Sequence, residues 1–386
     1  MSMKSVEGSR DVVHKAVKIC IISGENSGDF HGANLALAIR KRLPGVQIDG
    51  VGGSRMAAAG VSLIFQSSRL SVVGITEVIG RIPSIVVGWR RIKTYLQQQR
   101  PDLVVLIDFP DFNLYLVAPQ VKKLGIPLVY YISPQLWAWR QGRIKKIRTL
   151  VDRMLVILPF EQDFYRQSGV PVRYTGHPLV DEFAGFKVLP RSQRPYIALL
   201  PGSRPTEVKR LLPIMLEAAV LIRKNRPEQE FILPLVPSLD EDFLKEVVPE
   251  GLRNWVTPVR KPLSASLRDA FFAIVASGTA TLETALAGVP MVVVYRVGKL
   301  SYLIGKKLIS VPHISLVNLI AGSEVVPELI QDDVDAQNIC LRAEEIIDHQ
   351  DKFDQVVEGL REVKSLLGPT GGAERAAREV VDCLKI

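Results

Sequence analysis

Two polar segments in the second half of the chain have the residue types that bind phosphate. Each follows an apolar run and combines a glycine, which permits a tight turn, with hydroxyl and backbone N–H donors. N–H groups at the start of a helix favour an anion, and an arginine adds a forked donor that fits phosphate oxygens. The residues predicted to bind a diphosphate are Gly202, Ser203, Arg204, Ser277, Gly278 and Thr279.

Glu283 extends this predicted phosphate site. It lies four residues after Thr279, one turn further along the same face of a predicted helix. A carboxylate at that position would accept hydrogen bonds from ribose hydroxyls. No DxD motif accompanies these segments, so we expect neither a metal ion nor another cofactor.

The turn after the apolar segment Leu103–Ile107 has residues suited to proton transfer. Asp108, Asp111 and Asn113 lie at a proline-containing turn where a buried strand should emerge from the sheet. A carboxylate there can accept a proton from a substrate hydroxyl, and Asp108 is the first polar residue beyond the strand. Asp111 and Asn113 would contact substrate, or else bond to nearby backbone in an Asx turn.

A second turn with carboxylates follows the apolar segment Lys18–Ser23. Glu25, Ser27 and Asp29 lie beside two glycines whose spacing differs from GxGxxG, and the two carboxylates would repel a pyrophosphate. We therefore expect contact with sugar hydroxyls. The alternative is that Asn26, Ser27 or Asp29 caps a helix. Glu25 and Asp29 also remain alternatives to Asp108 as the general base.

Trp137, Trp139 and Arg140 are further candidates for contact with a sugar substrate. The indole rings could stack on sugar rings, although packing in the core or between domains is an equal alternative. Six cations lie between positions 140 and 153. They form either a solvated helix face or a surface that attracts phosphates and lipid headgroups.

Apolar segments of strand length alternate with longer amphipathic segments along most of the chain. This pattern predicts an α/β fold of two Rossmann-like doubly wound domains that face each other across a cleft. The predicted strands are Lys18–Ser23, Leu103–Ile107, Leu128–Ile132, Met154–Leu158, Ile197–Leu200, Phe231–Leu235, Phe271–Val275 and Met291–Tyr295. We expect an N-terminal extension at 1–16, a first domain at 17–189, a second domain at 190–340 and C-terminal helices at 341–386.

The composition limits the class of protein. Of the 386 residues, 47% are hydrophobic and 23% are charged, as in folded globular chains. No apolar run is long enough to cross a bilayer, and residues 1–16 lack the apolar core of a secretory signal. Three widely separated cysteines indicate a reducing compartment. The net charge of +9 favours an anionic partner, which could be nucleic acid, anionic lipid or a phosphorylated substrate.

The segment 70–93 has the composition of a surface that inserts into lipid. Aliphatic residues are followed by Trp89 and basic residues, while glycines and Pro83 are expected to interrupt a helix. A dimer interface or a core helix is the alternative. The residues predicted to contact a membrane are Val72, Val73, Ile75, Val78, Ile79, Ile82, Ile85 and Val86.

Taken together, these segments resemble the lipid-A-disaccharide synthase family of GT-B glycosyltransferases. The matching strings occur in family order: SGENSGD, GVGG, DFPDFN, SPQLWAWR, LPFE, GHP, LPGSR, ASGTATLE and VNLIAG. The resemblance implies that the second domain binds a UDP-sugar, with Asn318 of VNLIAG among its contacts, and that the first domain binds the acceptor. Asn26 and Phe109 stand where smaller residues are expected.

The resemblance also implies an activity. This is an inverting, metal-independent transfer from UDP-2,3-diacylglucosamine to 2,3-diacylglucosamine 1-phosphate, which gives lipid A disaccharide 1-phosphate and UDP. Arg204 would stabilise the departing UDP. The enzyme would be cytoplasmic and peripheral on the anionic inner face of the inner membrane, with no nucleic-acid partner; a homodimer is one alternative for its assembly.

Two other functions compete with this interpretation. One is a different GT-B enzyme that uses a UDP-sugar, such as an epimerase or another lipid-linked glycosyltransferase. The other is a basic protein that binds nucleic acid or anionic lipid without catalysis. The second would explain the charge but not the polar residues at four strand ends.

Overall fold

The computed structural model of the protein describes residues 16–69, 75–235, 247–298, 302 and 311–384. The chain forms two compact units. The first unit comprises the described residues up to Pro134, Lys146–Leu155 and the chain from Ala373 onward. The second unit comprises Gln135–Lys145 and Val156–Gly372.

Six parallel strands form the centre of the first unit. They are β1 (Lys18–Ser23), β2 (Gln47–Gly52), β3 (Ser62–Gln66), β4 (Leu103–Ile107), β5 (Leu128–Tyr131) and β6 (Arg153–Val156). Their order is β3-β2-β1-β4-β5-β6, within a seven-stranded sheet that ends with β7 (Val172–Tyr174). The order reverses direction between β1 and β4, which pair in parallel with Ser23 opposite Ile107. Ligands of such sheets bind beyond the carboxyl ends at this switch point.

A second parallel sheet forms the centre of the second unit. Its strands are β8 (Tyr196–Leu200), β9 (Glu230–Pro234), β10 (Val256–Val259), β11 (Ala270–Ala276), β12 (Met291–Tyr295) and β13 (Glu328–Ile330). Their order is β10-β9-β8-β11-β12-β13. The switch point of this sheet lies between β8 and β11, where Leu200 pairs with Val275.

Helices connect the strands of both sheets. The α-helices are α1 (Asn26–Arg42), α2 (Ser54–Ala58), α3 (Ile75–Gln99), α4 (Pro110–Phe112), α5 (Ala118–Lys123), α6 (Ile144–Leu150), α7 (Pro159–Gln167), α8 (Pro178–Glu182), α9 (Pro205–Asn225), α10 (Leu263–Arg268), α11 (Thr279–Leu286), α12 (Leu316–Ala321), α13 (Ala336–Ile347), α14 (Gln350–Leu366) and α15 (Gly372–Asp382). A π-helical turn, Asn113–Val117, follows α4. Short 3₁₀ turns lie at Ser67–Arg69, Gln141–Arg143, Arg191–Gln193, Glu250–Leu252 and Gln331–Asp333.

Two strands, one at each switch point, consist entirely of buried residues. Every residue of β4 and every residue of β11 is buried, because helices cover both faces of a doubly wound sheet. Strands of this kind consist of consecutive apolar residues, as Leu-Val-Val-Leu-Ile in β4 shows. Such strands are rigid supports for the polar turns that follow them.

The predicted fold class, two doubly wound α/β domains, is confirmed by the two strand orders. All eight predicted strands are present, with ends that differ by at most a few residues. Five strands were not predicted: β2, β3, β7, β10 and β13. They are short or carry polar residues, glycine or proline, as in the Val-Thr-Pro-Val sequence of β10.

The structural division of the chain differs from the boundary expected near residue 190. Residues 135–145 and 156–189 belong with the second unit, and the last helix of the chain belongs with the first. The expectation for segment 70–93 is also corrected in part. Helix α3 is continuous from Ile75 to Gln99 with Pro83 inside it, so neither the proline nor the glycines end the helix.

Candidate functional site

A cavity of about 780 Å³ lies at the switch point of the second unit. It opens beyond the carboxyl ends of β8, β9, β10 and β11, where ligands of doubly wound sheets bind. The predicted residues that it brings together are Gly202, Ser203, Arg204, Ser277, Gly278, Thr279 and Glu283. Three charged residues that were not predicted also line it, namely Glu207, Arg260 and Lys261.

Gly202 is required by the turn that leads from β8 to α9. Its φ is 107°, and a Cβ atom there would lie 2.7 Å from Oε2 of Glu207. The same Glu207 oxygen accepts the backbone N–H of Arg204 at 3.4 Å, while Oε1 lies 3.7 Å from the Arg204 guanidinium. The Arg204 side chain is 71% exposed at the cavity, so it is accessible to an anionic ligand.

The turn between β11 and α11 presents the start of a helix to the same cavity. Gly278 is the N-cap residue of α11, and both Gly278 and Thr279 are exposed. The donors of Ser277 are used within the protein, because its N–H bonds to Val294 and its hydroxyl donates to the carbonyl of Ile314 at 3.1 Å. The N–H groups available for an anion are therefore those that follow Ser277.

Glu283 is half-buried one turn into α11 and lines the cavity. Burial, together with the charge of Glu182, raises the pKa of Glu283 to about 7. The side chain therefore changes charge within the physiological range. A ligand that donates hydrogen bonds to it would stabilise the ionised form.

Asn318 has a structural role that differs from the predicted contact with the nucleotide. It is fully buried, and its amide donates to the carbonyl of Val326 and to Glu328, each at 2.8 Å. Its side-chain oxygen accepts the N–H groups of Val325 and Val326 at 2.8 and 3.0 Å. These bonds close the loop between α12 and β13 and leave no donor for a ligand.

Asp108 lies at the switch point of the first unit, in a backbone conformation that side chains disfavour. Its φ is 44° and that of Phe109 is 50°, both in the left-handed region. Glu25 follows β1 at the neighbouring strand end. Burial and the charge of Glu25 raise the pKa of Asp108 to about 6. A half-buried carboxyl group with such a pKa suits a general base that works near neutral pH.

Asp29 stabilises the backbone of a neighbouring turn. It is 6% exposed, and its carboxylate accepts N–H groups from Gly53 at 2.6 Å and from Arg55 and Met56 at 3.1 Å. The capping alternative therefore holds for Asp29, although the capped helix is α2 and not its own helix α1. Its carboxylate is committed to these bonds, which corrects the predicted contact with a sugar. Ser27 is exposed.

Asn113 also bonds to backbone, as in the alternative considered for it. It is fully buried, and its amide donates to the carbonyl of Asp108 at 2.6 Å. The same amide lies 3.4 Å from the carbonyl of Ile107. The predicted contact between Asn113 and substrate is therefore corrected, since the Asn113 amide stabilises the Asp108 turn instead. Asp111 is exposed on the same turn.

The two tryptophans have different environments. Trp137 is 8% exposed in the core of the second unit, where its indole N–H donates to Glu161 at 3.0 Å and its ring packs edge-on against Phe160. Core packing is thus the correct alternative for Trp137. Trp139 is 43% exposed, with the Arg140 guanidinium 4.4 Å from its ring centroid. The Trp139 ring therefore lies at the protein surface.

The predicted membrane segment is described only in part. Val72 and Val73 lie outside the described residues, as do the side chains of Ile75, Val78, Ile79 and Ile82 in α3. Ile85 is half-buried, whereas Val86 and Val87 are 40% and 45% exposed. Among the described helices, none has both the length and the apolar character needed to cross a membrane. The described residues also include no cluster of three His, Cys, Asp or Glu side chains that could hold a metal ion.

Comparison with known proteins relates these sites to a family. The family model described as Lipid-A-disaccharide synthetase matches residues 19–377. The lipid-A-disaccharide synthase of Syntrophus aciditrophicus (strain SB) is 45% identical over 375 residues, which cover 95% of this chain and 98% of the relative.

Solved structures with low sequence identity have the same fold. The S. aureus MnaA–UDP co-structure has a TM-score of 0.65 at 12% identity, with 96% of each chain covered. The glycotransferase of kitacinnamycin has a TM-score of 0.63 at 17% identity, with 96% of this chain and 99% of the other covered. At these identities the similarity concerns the GT-B architecture alone.

Proposed function

Because the chain belongs to the lipid-A-disaccharide synthetase family, we propose that it is an inverting glycosyltransferase that makes the lipid A disaccharide. The donor is UDP-2,3-diacylglucosamine and the acceptor is 2,3-diacylglucosamine 1-phosphate. The products are lipid A disaccharide 1-phosphate and UDP. The observation that carries the proposal is the cavity of about 780 Å³, which unites a guanidinium, a helix start and a carboxylate.

The cavity of the second unit is proposed to bind the UDP part of the donor. Arg204 and the N–H groups at the start of α11 bind the diphosphate, and Glu283 accepts the ribose hydroxyls. When the bond between the anomeric carbon and the diphosphate breaks, negative charge grows on the departing UDP. Arg204 and the helix N–H groups stabilise this charge, since they line the cavity in which UDP is proposed to bind.

Asp108 is proposed to be the general base of the transfer. The primary hydroxyl of the acceptor attacks the anomeric carbon on the face opposite to UDP, which inverts the configuration. The new bond joins that oxygen to the anomeric carbon while the hydroxyl proton passes to Asp108. A positioned carboxylate accelerates such a step by about 10²–10⁴-fold. Burial and the charge of Glu25, at the adjacent strand end, keep the pKa of Asp108 high, and Glu25 remains the alternative base.

The substrates carry acyl chains, so we propose that the enzyme works as a peripheral protein on the cytoplasmic, anionic face of the inner membrane. The exposed Val86 and Val87 of α3 support lipid contact, and basic residues follow them at Arg90, Arg91 and Lys93. Neither a metal ion nor a nucleic-acid partner is part of this proposal. A homodimer is compatible with it.

Mass spectrometry of the reaction products tests the proposal. The purified chain is incubated with UDP-2,3-diacylglucosamine, with and without 2,3-diacylglucosamine 1-phosphate. We expect the disaccharide 1-phosphate and one UDP per disaccharide only when the acceptor is present. Release of UDP without acceptor would instead identify a hydrolase. An isomer of the UDP-sugar, which has the same mass and is separated by chromatography before detection, would identify an epimerase, and disaccharide formed with another lipid acceptor alone would reassign the acceptor.

A further inference from the structure

The Asp108 turn is held through its backbone, at an atom that the proposed reaction does not use. The carbonyl oxygen of Asp108 accepts two short hydrogen bonds. One comes from the Asn113 amide at 2.6 Å, and the other comes from the hydroxyl of Tyr130 at 2.7 Å. The N–H of Asp108 also donates to the carbonyl of Tyr131 at 3.3 Å. Both backbone polar groups of Asp108 are thus fixed by neighbouring elements.

Tyr130 is well suited to transmit the rigidity of the sheet to this turn. It lies in β5, where it pairs with Leu106 of β4, and its side chain is fully buried. A buried tyrosine has two restricted side-chain torsions, so its hydroxyl occupies a defined position. Its sequence position gave no indication of this role, because it reads as one more apolar residue of a buried strand.

The turn needs such a constraint because its conformation is unfavourable. Asp108 and Phe109 are consecutive non-glycine residues in the left-handed region. Such conformations persist only where surrounding contacts determine them, and they are concentrated at functional sites. Without its tether, the turn would relax toward commoner backbone angles, and the direction of the Asp108 carboxyl group would change.

We propose that Tyr130 is a positioning residue for Asp108. The hydroxyl of Tyr130 holds the carbonyl of Asp108, so that the strained turn points the Asp108 carboxylate at the acceptor hydroxyl. The inference rests on the proposed role of Asp108 as the base. The hydroxyl of Tyr130 contacts the backbone carbonyl of Asp108. Its contribution is to keep the carboxylate in the reactive geometry, where a small displacement costs rate without weakening ligand binding.

The variant Tyr130→Phe tests this inference, since it removes the hydroxyl and keeps the ring. We expect kcat to fall about tenfold, the effect of one neutral hydrogen bond, while KM for the acceptor and Kd for UDP change less than about twofold. The acidic limb of the kcat–pH profile should also move to lower pH. Release of the turn exposes the Asp108 carboxyl to water, which lowers a pKa that burial and the charge of Glu25 now raise.

A double-mutant cycle with Asp108→Asn separates positioning from general stabilisation of the fold. If Tyr130 acts through the Asp108 carboxylate, adding Tyr130→Phe to Asp108→Asn lowers kcat no further. An additional loss of the same size in both backgrounds would overturn the inference. Tyr95→Phe is the matched control, because the hydroxyl of Tyr95 donates a 2.6 Å bond to Asp49 in the same unit and not to the Asp108 turn. The kcat–pH profile of this variant should stay that of the wild type.

The outcomes distinguish this inference from the proposed function. If Asp108→Asn retains most of its kcat, the base is elsewhere, and the positioning role of Tyr130 fails together with the assignment of Asp108, while the proposed transfer reaction stands. If Asp108→Asn loses activity while Tyr130→Phe retains full kcat and an unchanged pH profile, only the positioning role fails. Should Tyr130→Phe not fold, Asn113→Ser removes the other donor from the same carbonyl, and the same results support or refute the tether.

Discussion

Glu283 gives a test of the nucleotide site in which the sign of the effect is informative. Its pKa of about 7 means that about half of the free enzyme has an ionised Glu283 at neutral pH. If the carboxylate accepts ribose hydroxyls, only the ionised form binds well. The ionised fraction falls from about nine-tenths at pH 8 to about one-tenth at pH 6. With a protonated form that binds about tenfold more weakly, Kd should rise about fivefold between these pH values.

The measurement is calorimetric titration with UDP-N-acetylglucosamine, whose diphosphate does not change charge in this range, unlike that of UDP. Glu283→Gln should bind about tenfold more weakly than wild type at pH 8, for the loss of a charge-assisted bond of about 1.5 kcal/mol. Its affinity should be independent of pH. Glu207→Gln is the control for the pH dependence, which it should keep, because Glu207 lines the same cavity and no ribose contact is proposed for it. Its affinity is not the control value, since Glu207 also bonds to Arg204.

Two results would refute this reasoning. Tighter binding at lower pH would mean that the Glu283 carboxylate repels the diphosphate, since protonation would then relieve a repulsion. A wild-type pH dependence that persists in Glu283→Gln would place the titrating group on another residue.

Four further predictions concern the other parts of the proposed mechanism. Asp108→Asn should lower kcat by about 10²–10⁴-fold with UDP affinity nearly unchanged. The kcat of the wild type should halve near pH 6 and fall about tenfold per pH unit below it, and a pH-independent kcat would reject Asp108 as the general base. Arg204→Ala should weaken UDP binding by about 1.5–3 kcal/mol in calorimetry, whereas unchanged affinity would remove Arg204 from the site. The turnover rate should be unchanged by a chelator. If the chelator abolishes activity and Mg²⁺ restores it, the reaction is not metal-independent. Val86→Ser with Val87→Ser should reduce sedimentation with anionic liposomes while the circular dichroism spectrum is kept; loss of the folded spectrum would show that these side chains stabilise the core.

The sequence was most informative where apolar strands end in polar turns. β4 and β11 are recognisable because every residue is apolar, and this holds only for strands covered on both faces. Residues at their carboxyl ends were therefore assigned to the right edge of each sheet. The Gly202 turn and Glu283 line one cavity for this reason.

Sequence reasoning failed where the partner of a polar side chain is distant along the chain. Asp29 looks like a ligand in its own turn, but its oxygens accept N–H groups from residues 53, 55 and 56. Asn318 is similarly occupied by the backbone of Val325 and Val326. Local composition cannot reveal these bonds, because a free carboxylate and a satisfied one have the same neighbours in sequence.

The charged residues of the cavity that were not predicted were missed for a different reason. Arg260 and Lys261 follow β10, and the Thr257 and Pro258 residues of this strand give it no apolar pattern, so neither the strand nor its carboxyl end was predicted. Glu207 had a usable signal. Its position three residues after Arg204 is the spacing of a capping box at the start of α9.

The position of helix α15 affects how the protein is made. This helix belongs with the first unit, where Glu379 pairs with Arg153, yet the ribosome synthesises it only after the whole second unit. Ala376, Ala377 and Val380 of this helix are fully buried, so the nascent first unit exposes the apolar surface that they will cover. A fragment that ends before residue 372 would keep that surface exposed permanently, and the first unit should therefore be expressed with α15 fused to it or supplied as a separate peptide.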